Sequence, residues 1–524
     1  MNKRHSSSAR VIARNLAANW IGYGANLVVM FFLSPFVIHT LGLAGYGLWS
    51  ALNVLVGYMG VLDLGIRAST GRHIILYIGR EDHKAVDETI RTSLGFFTAL
   101  SIVFIIIGTI IGWAFPSLFP KVPKTYHDLL IILVPVMTMN LWVSMIRVVL
   151  SSVLSAHDRF DLARGIDLTI LAVRTIGTIL ALSLGYGIPG LVVAVLGSNS
   201  VGLLASYLTS KRVYPLMRVW PFEMLWLRLR ELFGYGIPAA ISSAALKIIA
   251  QTDVIVVSAC IGFGEAGVYT AGAALLNYAS TFLGQIRTTF FPPIQRAVAR
   301  AEMGSARWLY FRQVRLGLFC GLPVFIGFIL FGRDFLHLWL YDPVKFPNQA
   351  ILSAAWVMAI LAMADLSILF RLGGDAFLMA MGYVKFTAGL GIAQAILNLG
   401  ITLVFVLIFK WGLMGVAGGT LAARMMTSAF VMPLYICYKA KISISHYFYN
   451  IVLRGGIAGL IFAMISFYFK WLFNIHSWLV FGTQICLSII FYTPIAFLIL
   501  VPDVDRNRFY KKIANMFNDI RARV

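Results

Sequence analysis

The chain is built from apolar windows of about 20 residues, the length a helix needs to cross a hydrocarbon layer roughly 30 Å thick. Fourteen such windows can be read: Ala13–His39, Tyr46–Arg67, Ser93–Phe119, Leu129–Ser155, Leu162–Leu184, Ile188–Thr209, Ile237–Ile261, Gly267–Phe291, Val314–Leu340, Ala350–Arg371, Tyr383–Phe409, Gly412–Lys439, Ile451–Phe473 and Trp478–Val501. A soluble fold has no room for this much apolar surface: 60% of the 524 residues are hydrophobic and only 12% are charged. The expected fold class is therefore an all-α polytopic membrane protein with 14 transmembrane helices. The basic N-terminus leads into an apolar run too long for a signal-peptide core, so that run is read as the first span.

The connections between windows alternate in charge. One set is rich in Lys and Arg, while the other carries only Lys121, Lys124, Arg333, Lys345, Lys410 and Lys470. The positive-inside rule then puts both termini in the cytoplasm and requires an even number of spans. The net charge of +22 follows from this bias and from attraction to anionic lipid, with no call for nucleic acid. The four cysteines are scattered, the nine histidines form no HxxxH or HExxH pattern, and there is no Walker A motif. No metal, no cofactor and no enzyme activity are expected.

The chain also repeats itself. Leu41–Ser69 lies on Ile261–Thr289 without a gap at an offset of 220 positions. Gly42, Gly47, Ala51, Leu55, Tyr58, Ile66 and Arg67 fall on Gly262, Gly267, Ala271, Leu275, Tyr278, Ile286 and Arg287, and Trp49 falls on Tyr269. A second echo, Gly187–Gly190 against Gly412–Gly415, runs at an offset of 225. Two parallel six-helix repeats follow, related by an axis along the membrane normal. The expected divisions are an N-lobe at 1–210, a cytoplasmic interfacial linker at 211–233, a C-lobe at 234–441, two further helices at 442–502 and a basic amphipathic tail at 503–524. Trp220, Phe222, Leu225, Trp226 and Leu229 in the linker alternate with Arg228 and Arg230 and predict an amphipathic helix. Phe509, Ile513, Met516, Phe517 and Ile520 predict another in the tail. The Gly42–Gly47 and Gly262–Gly267 turns are candidate flexing points, and Pro238, Pro292 and Pro293 candidate kinks.

Charge at membrane depth marks the candidate site. Arg174, Lys247 and Arg424 lie mid-span, where a cation facing lipid costs about 2.5 kcal/mol or more. Such residues either line a cationic cavity suited to a phosphate or carboxylate, or form structural pairs with Asp253, Asp365 or Asp63. A second layer contains Arg67, Arg287, Arg147 and Arg371, for which snorkelling to the interface is the plain alternative. Asp63 is four residues before Arg67 and can pair with it on one helix face. Asp253 and Asp365 are candidates for carrying a coupling H+ or Na+, against a structural role. Most Trp and Tyr belong to the interfacial belts, and the sequence does not single out which of them stack on sugars.

Five passages resemble the polysaccharide transporter, or O-antigen flippase, branch of the multidrug/oligosaccharidyl-lipid/polysaccharide (MOP) exporter superfamily. They are Leu41-Gly42 through Tyr46-Gly47-Leu48-Trp49; Leu62-Asp63-Leu64-Gly65; Arg159-Phe160-Asp161-Leu162; Asp253 with Ile261-Gly262 and Gly267-Val268-Tyr269; and Phe291-Pro292-Pro293. The resemblance implies a V-shaped bundle of two six-helix lobes around a central cavity. It also implies movement of undecaprenyl-diphosphate-linked oligosaccharide across the bacterial inner membrane, with membrane lipids and polysaccharide polymerase proteins as partners. Basic cavity residues carry over to Arg174, Lys247, Arg287 and Arg424, and the acid of helix 7 to Asp253. Many members of this branch have twelve spans rather than fourteen. The lipid II flippases of the superfamily have fourteen, and this keeps a peptidoglycan-precursor flippase as an alternative. An ion-coupled small-molecule exporter is a further alternative, although cationic drugs would favour an acidic cavity. A membrane glycosyltransferase or polymerase would need a long outer loop, and none is present.

Overall fold

The computed structural model describes residues 2–220, 223–502, 506–507 and 511; side chains are described except those of 2–21, 62, 235, 238, 239 and 241–250. Backbone amides in hydrocarbon must find partners within their own segment, and the described residues are accordingly mostly helical. The elements are α1 (Asn2–Met59), α2 (Ile66–Gly79), α3 (His83–Leu118), α4 (His127–Ala156), α5 (Phe160–Ser183), α6 (Gly187–Val213), α7 (Trp226–Val256), α8 (Phe263–Ala299), α9 (Met303–Leu340), α10 (Asn348–Leu369), α11 (Gly374–Ala380), α12 (Val384–Leu403), α13 (Gly412–Arg424), α14 (Met432–Lys439), α15 (Ile444–Tyr447), α16 (Arg454–Leu472) and α17 (Trp478–Leu500). No strand is formed among the described residues, where the only β-type pairing is a bridge between Asp342 and Phe346.

Eleven helices among the described residues are long and apolar enough to cross a membrane, against the fourteen windows read from sequence. The difference has physical causes. The first two windows are two helical segments that Gly42 (φ 70°, ψ 174°) separates within α1, so both stand although they count as one element. The window at 237–261 falls on α7, where the side chains of residues 241–250 are not described. That at 267–291 falls on α8, whose apolar run is diluted by Asn277, Gln285 and Arg287.

Packing divides the chain into two compact units, Met1–Gly267 and Val268–Val524. In the first unit, Leu94, Phe97 and Phe104 of α3 are buried in one cluster with Met145, Val149 and Val153 of α4. There α7 packs against α1 and α2, so this division falls later than the loop at 211–233. In the second unit, α9 and α10 supply the core, with Leu318, Phe325, Val357 and Met358 buried.

The linker differs from its expected form. Residues 214–220 and 223–225 are not helical, and helix resumes only at Trp226. Ion pairs to α3 override the amphipathic periodicity: Arg91 of α3 pairs with Glu223, Arg228 Nε donates to Glu88 at 2.9 Å, and the Arg218 amide donates to Asp87 at 3.0 Å. Leu229 and Leu232 are buried, while Trp220 and Trp226 remain exposed. Phe222 and the five apolar tail residues lie outside the described residues, as do the side chains of Lys247 and Pro238.

The repeat seen in sequence also holds in the backbone. Gly42 (φ 70°) and Gly262 (φ 154°) both adopt conformations that L side chains rarely take, as do Gly187 (φ 54°) and Gly412 (φ 56°) of the second echo. A third echo carries little sequence identity beyond Arg80 on Arg300. Glu81 and Ala301, 220 apart, are both left-handed at the turn before α3 and α9, with matching bonds from Asp82 N to Tyr77 O and from Glu302 N to Ala297 O.

Within the first unit the two copies of the repeated turn meet reciprocally. A Cβ on Gly47 would sit 1.8 Å from Phe263 O, and one on Gly267 would sit 2.3 Å from Leu43 O. Leu43 and Phe263 are themselves equivalent under the 220-residue offset. Nearby, Lys121 Nζ donates to Cys260 O at 2.7 Å and Ile261 O at 2.8 Å, satisfying carbonyls at the widened π turn that ends this helix. The backbone oxygens leave no space for a methyl. Gly47→Ala and Gly267→Ala should each cost about 1–3 kcal/mol or more. In detergent each should lower the apparent melting temperature by several degrees, whereas Gly264→Ala, with open space around it, should leave it unchanged.

Candidate functional site

The predicted cations separate into paired and unpaired groups once their neighbours are seen. In the first unit, α4 presents Arg147, whose guanidinium donates to Asp167 of α5 at 3.1 Å. Arg164, three residues before Asp167 on α5, reaches the other carboxylate oxygen at 3.1 Å. Arg174 lies seven residues beyond Asp167, nearly two helical turns, and so on the same face of α5. Its Nε is shut away from solvent without a hydrogen-bond partner, and no carboxylate pairs with it among the described residues. Arg147 is close enough for the two charges to repel. Arg147 and Arg164 thus converge on Asp167, and Arg174 lies beyond them on the same face of α5 without a carboxylate. The sequence reading missed Asp167, although the spacing 164, 167, 174 along one helix face was there to find.

At the end of α1, Arg67 Nε lies 3.2 Å from Asp63, whose other oxygen accepts from the Gly65 amide at 2.8 Å. Arg67 is therefore tied to the left-handed break at Leu64 and Gly65. Asp253 is buried on α7 beside Thr252, whose hydroxyl meets Tyr58 Oη at 2.9 Å. Lys247 lies outside the described side chains.

The second unit holds its own polar cluster. Arg424, the last residue of α13 before a π turn, pairs with Asp365 of α10, and Asp365 also accepts from Ser280 Oγ of α8 at 2.8 Å. Arg371 donates to Ser428 Oγ at 2.9 Å and lies within the electrostatic reach of Asp375 and Arg424. Arg287 pairs with Asp375 at 2.6 Å and is half exposed. Here three arginines face two aspartates. In this cluster Arg424 and Arg287 each have a carboxylate partner. A phenol pair not singled out from sequence, Tyr310 and Tyr447 with oxygens 3.5 Å apart, is buried next to Arg371, and Tyr447 also donates to Phe370 O at 2.7 Å.

No group of three or more His, Cys, Asp or Glu suited to a metal occurs among the described residues. The arrangement has cations to hold an anion.

Comparisons with known proteins bear on the family and on the fold. The family described as "Polysaccharide biosynthesis protein" matches residues 83–342. A protein of Shigella flexneri named "Putative O-antigen transporter" is 23% identical over 426 residues, covering 78% of this chain and 93% of that protein. Among solved structures, an inward-facing MATE-family multidrug resistance transporter of the MOP superfamily aligns with TM-score 0.68 and 17% identity, over 79% of this chain and 94% of its own. The lipid II flippase MurJ in an inward closed conformation aligns with TM-score 0.62 and 15% identity, over 91% of this chain and all of its own. These two likenesses show the fold.

The pairing pattern separates stability from function. Arg424→Ala leaves Asp365 buried without its counter-charge, a loss of about 3–5 kcal/mol, and Arg424→Ala with Asp365→Asn should recover much of it. Arg174→Ala removes a cation that nothing pairs with, so the melting temperature should hold or rise while transport is lost. Thermal unfolding and transport measured on the same preparations read both effects.

Proposed function

We propose that this chain, a member of the polysaccharide-transporter branch of the MOP superfamily, is a flippase for undecaprenyl-diphosphate-linked oligosaccharide units. It works by alternating access through a cationic cavity, and its cations hold the diphosphate while the isoprenoid stays in the bilayer. Arg174 carries this reading, because a half-buried guanidinium at membrane depth without a carboxylate is costly unless an anion visits it. The diphosphate is too polar to cross hydrocarbon unaided, and excess positive charge in a low dielectric supplies what water provides outside.

A second observation favours a lipid-linked cargo over a free small molecule. In the second unit, a cavity of about 240 Å³ opens between α9, α16 and α17, lined by Pro323, Gly327, Phe331, Phe462, Phe481 and Ile485. Its apolar walls suit an isoprenoid chain. They equally suit the tail of lipid II, which keeps the peptidoglycan-precursor reading as the alternative. The proposal includes fourteen crossings, both termini in the cytoplasm, residence in the bacterial inner membrane, and Asp253 or Asp365 as the group that takes a coupling H+ or Na+. Asp365 is the weaker candidate of the two, since Arg424 and Ser280 already engage it.

Expression in a strain lacking its own O-unit flippase should restore surface polysaccharide. Arg174→Ala at matched expression should restore roughly a tenth or less, the loss of about one charge-assisted hydrogen bond. Rescue of a lipid II flippase deletion, with no rescue of any O-unit strain, would move the assignment to the peptidoglycan precursor. Full activity of Arg174→Ala would remove the cationic site.

A further inference from the structure

The internal repeat is a built-in control for function, because equivalent positions began with the same structural task. At an offset of 220, Trp49 falls on Tyr269 and Asn53 falls on Ala273. Tyr269 is buried at 2% exposure. Trp49 is only half-buried and Asn53 is exposed. Both line a cavity of about 140 Å³ inside the first unit, together with Gly57 of α1, Asn140 and Met137 of α4, and Val195 of α6. The first copy has thus placed an indole and an amide in a hollow where the second copy has a packed phenol and a methyl group.

The hydrogen bonds around this cavity are arranged to leave capacity free. Asn53 Nδ2 donates to Trp49 O at 2.7 Å, which leaves Asn53 Oδ1 as an acceptor. Asn199 Nδ2 donates to Asn140 Oδ1 at 2.8 Å, which leaves the Asn140 amide nitrogen as a donor. An acceptor and a donor therefore border one hollow, with an indole beside them and apolar side chains behind. No carboxylate lines it to hold a cation, and no Lys or Arg lines it to hold an anion. A purely apolar occupant would leave both amides unsatisfied, at about 1–3 kcal/mol each. What remains is a neutral ligand rich in hydroxyl groups. At ~30 Å³ per water the hollow has room for about four waters, or for the hydroxyl edge of one sugar ring.

Its position suits the same cargo. Asn140 and Arg147 are seven residues apart on α4 and share a face, separated by roughly 10 Å along the axis. That is about the reach of the first sugars from a diphosphate held at the arginines. We infer that the hollow lined by Trp49, Asn53 and Asn140 is a carbohydrate subsite that takes a sugar ring near the diphosphate end of the lipid-linked glycan. The inference rests on the flippase reading above.

The test uses the full-length protein in nanodiscs. Native mass spectrometry would compare binding of undecaprenyl diphosphate with binding of the sugar-bearing lipid extracted from a strain that the wild type complements. Asn53→Ala, which installs the residue of the second copy, and Trp49→Ala should each weaken binding of the sugar-bearing lipid by about fivefold or more. Their binding of sugar-free undecaprenyl diphosphate should equal that of the wild type. Unchanged binding of both lipids would overturn the subsite and leave a water-filled hollow. An equal loss for both lipids would overturn it as well, because the residues would then be structural. A wild type that complements no strain and binds neither lipid would sink the flippase reading, and the subsite with it.

Discussion

A charge or an unpaired amide in hydrocarbon has nowhere to hide, and the rest of this structure follows from that constraint. The backbone answers with helices. The side chains answer with local pairing: Asp63 with Arg67, Asp167 with Arg147 and Arg164, Asp365 with Arg424, and Asp334 with Lys470 at 2.6 Å. Where no acid is at hand, carbonyls at a helix end serve, as at Lys121. The scarce acids of this basic chain are thus largely assigned to specific arginines and lysines. Against that background, an unpaired Arg174 stands out as a group held ready for something else.

Much of the fold was legible because membrane helices write their length and polarity into the sequence, and because a duplicated chain writes its organisation twice. The turn glycines matched at 220 residues are the ones whose backbones the fold uses. The misreading of the linker also has a physical source. The linker has the periodicity of an amphipathic helix, but Asp87 and Arg91 of a neighbouring helix engage Arg218 and Glu223 in its non-helical part, and tertiary pairing outweighs local propensity.

The candidate site was legible in part. Residue type and depth pointed to the cations, but which of them are already occupied depends on acids that arrive from other helices. Asp167 is twenty residues from Arg147, and Asp365 is fifty-nine from Arg424. Neither separation is a helical repeat, so no single-helix pattern could reveal the pair. Asp63 and Arg67, four apart, do pair, but across the left-handed turn at Leu64 and Gly65 rather than along one helix face.

The duplicated architecture also bears on how an unsymmetrical cargo is held. Two identical repeats would present the same surface twice, and a glycan joined through a diphosphate to an isoprenoid offers chemically different ends. The two copies have kept what the backbone contact requires: glycine at 47 and 267, and left-handed turns at 81 and 301. They have diverged where side chains face space. The first unit carries a cation without a carboxylate at Arg174 and an amide-lined hollow at Asn53, while the second pairs Arg424 with Asp365 and opens an apolar cavity against α16 and α17. On the function proposed above, phosphate, sugar and lipid chemistry would be spread unequally over a pair of like scaffolds. A repeat protein can reach this state by changing a few side chains at a time, since none of those changes disturbs the glycine contact on which the turn packing depends.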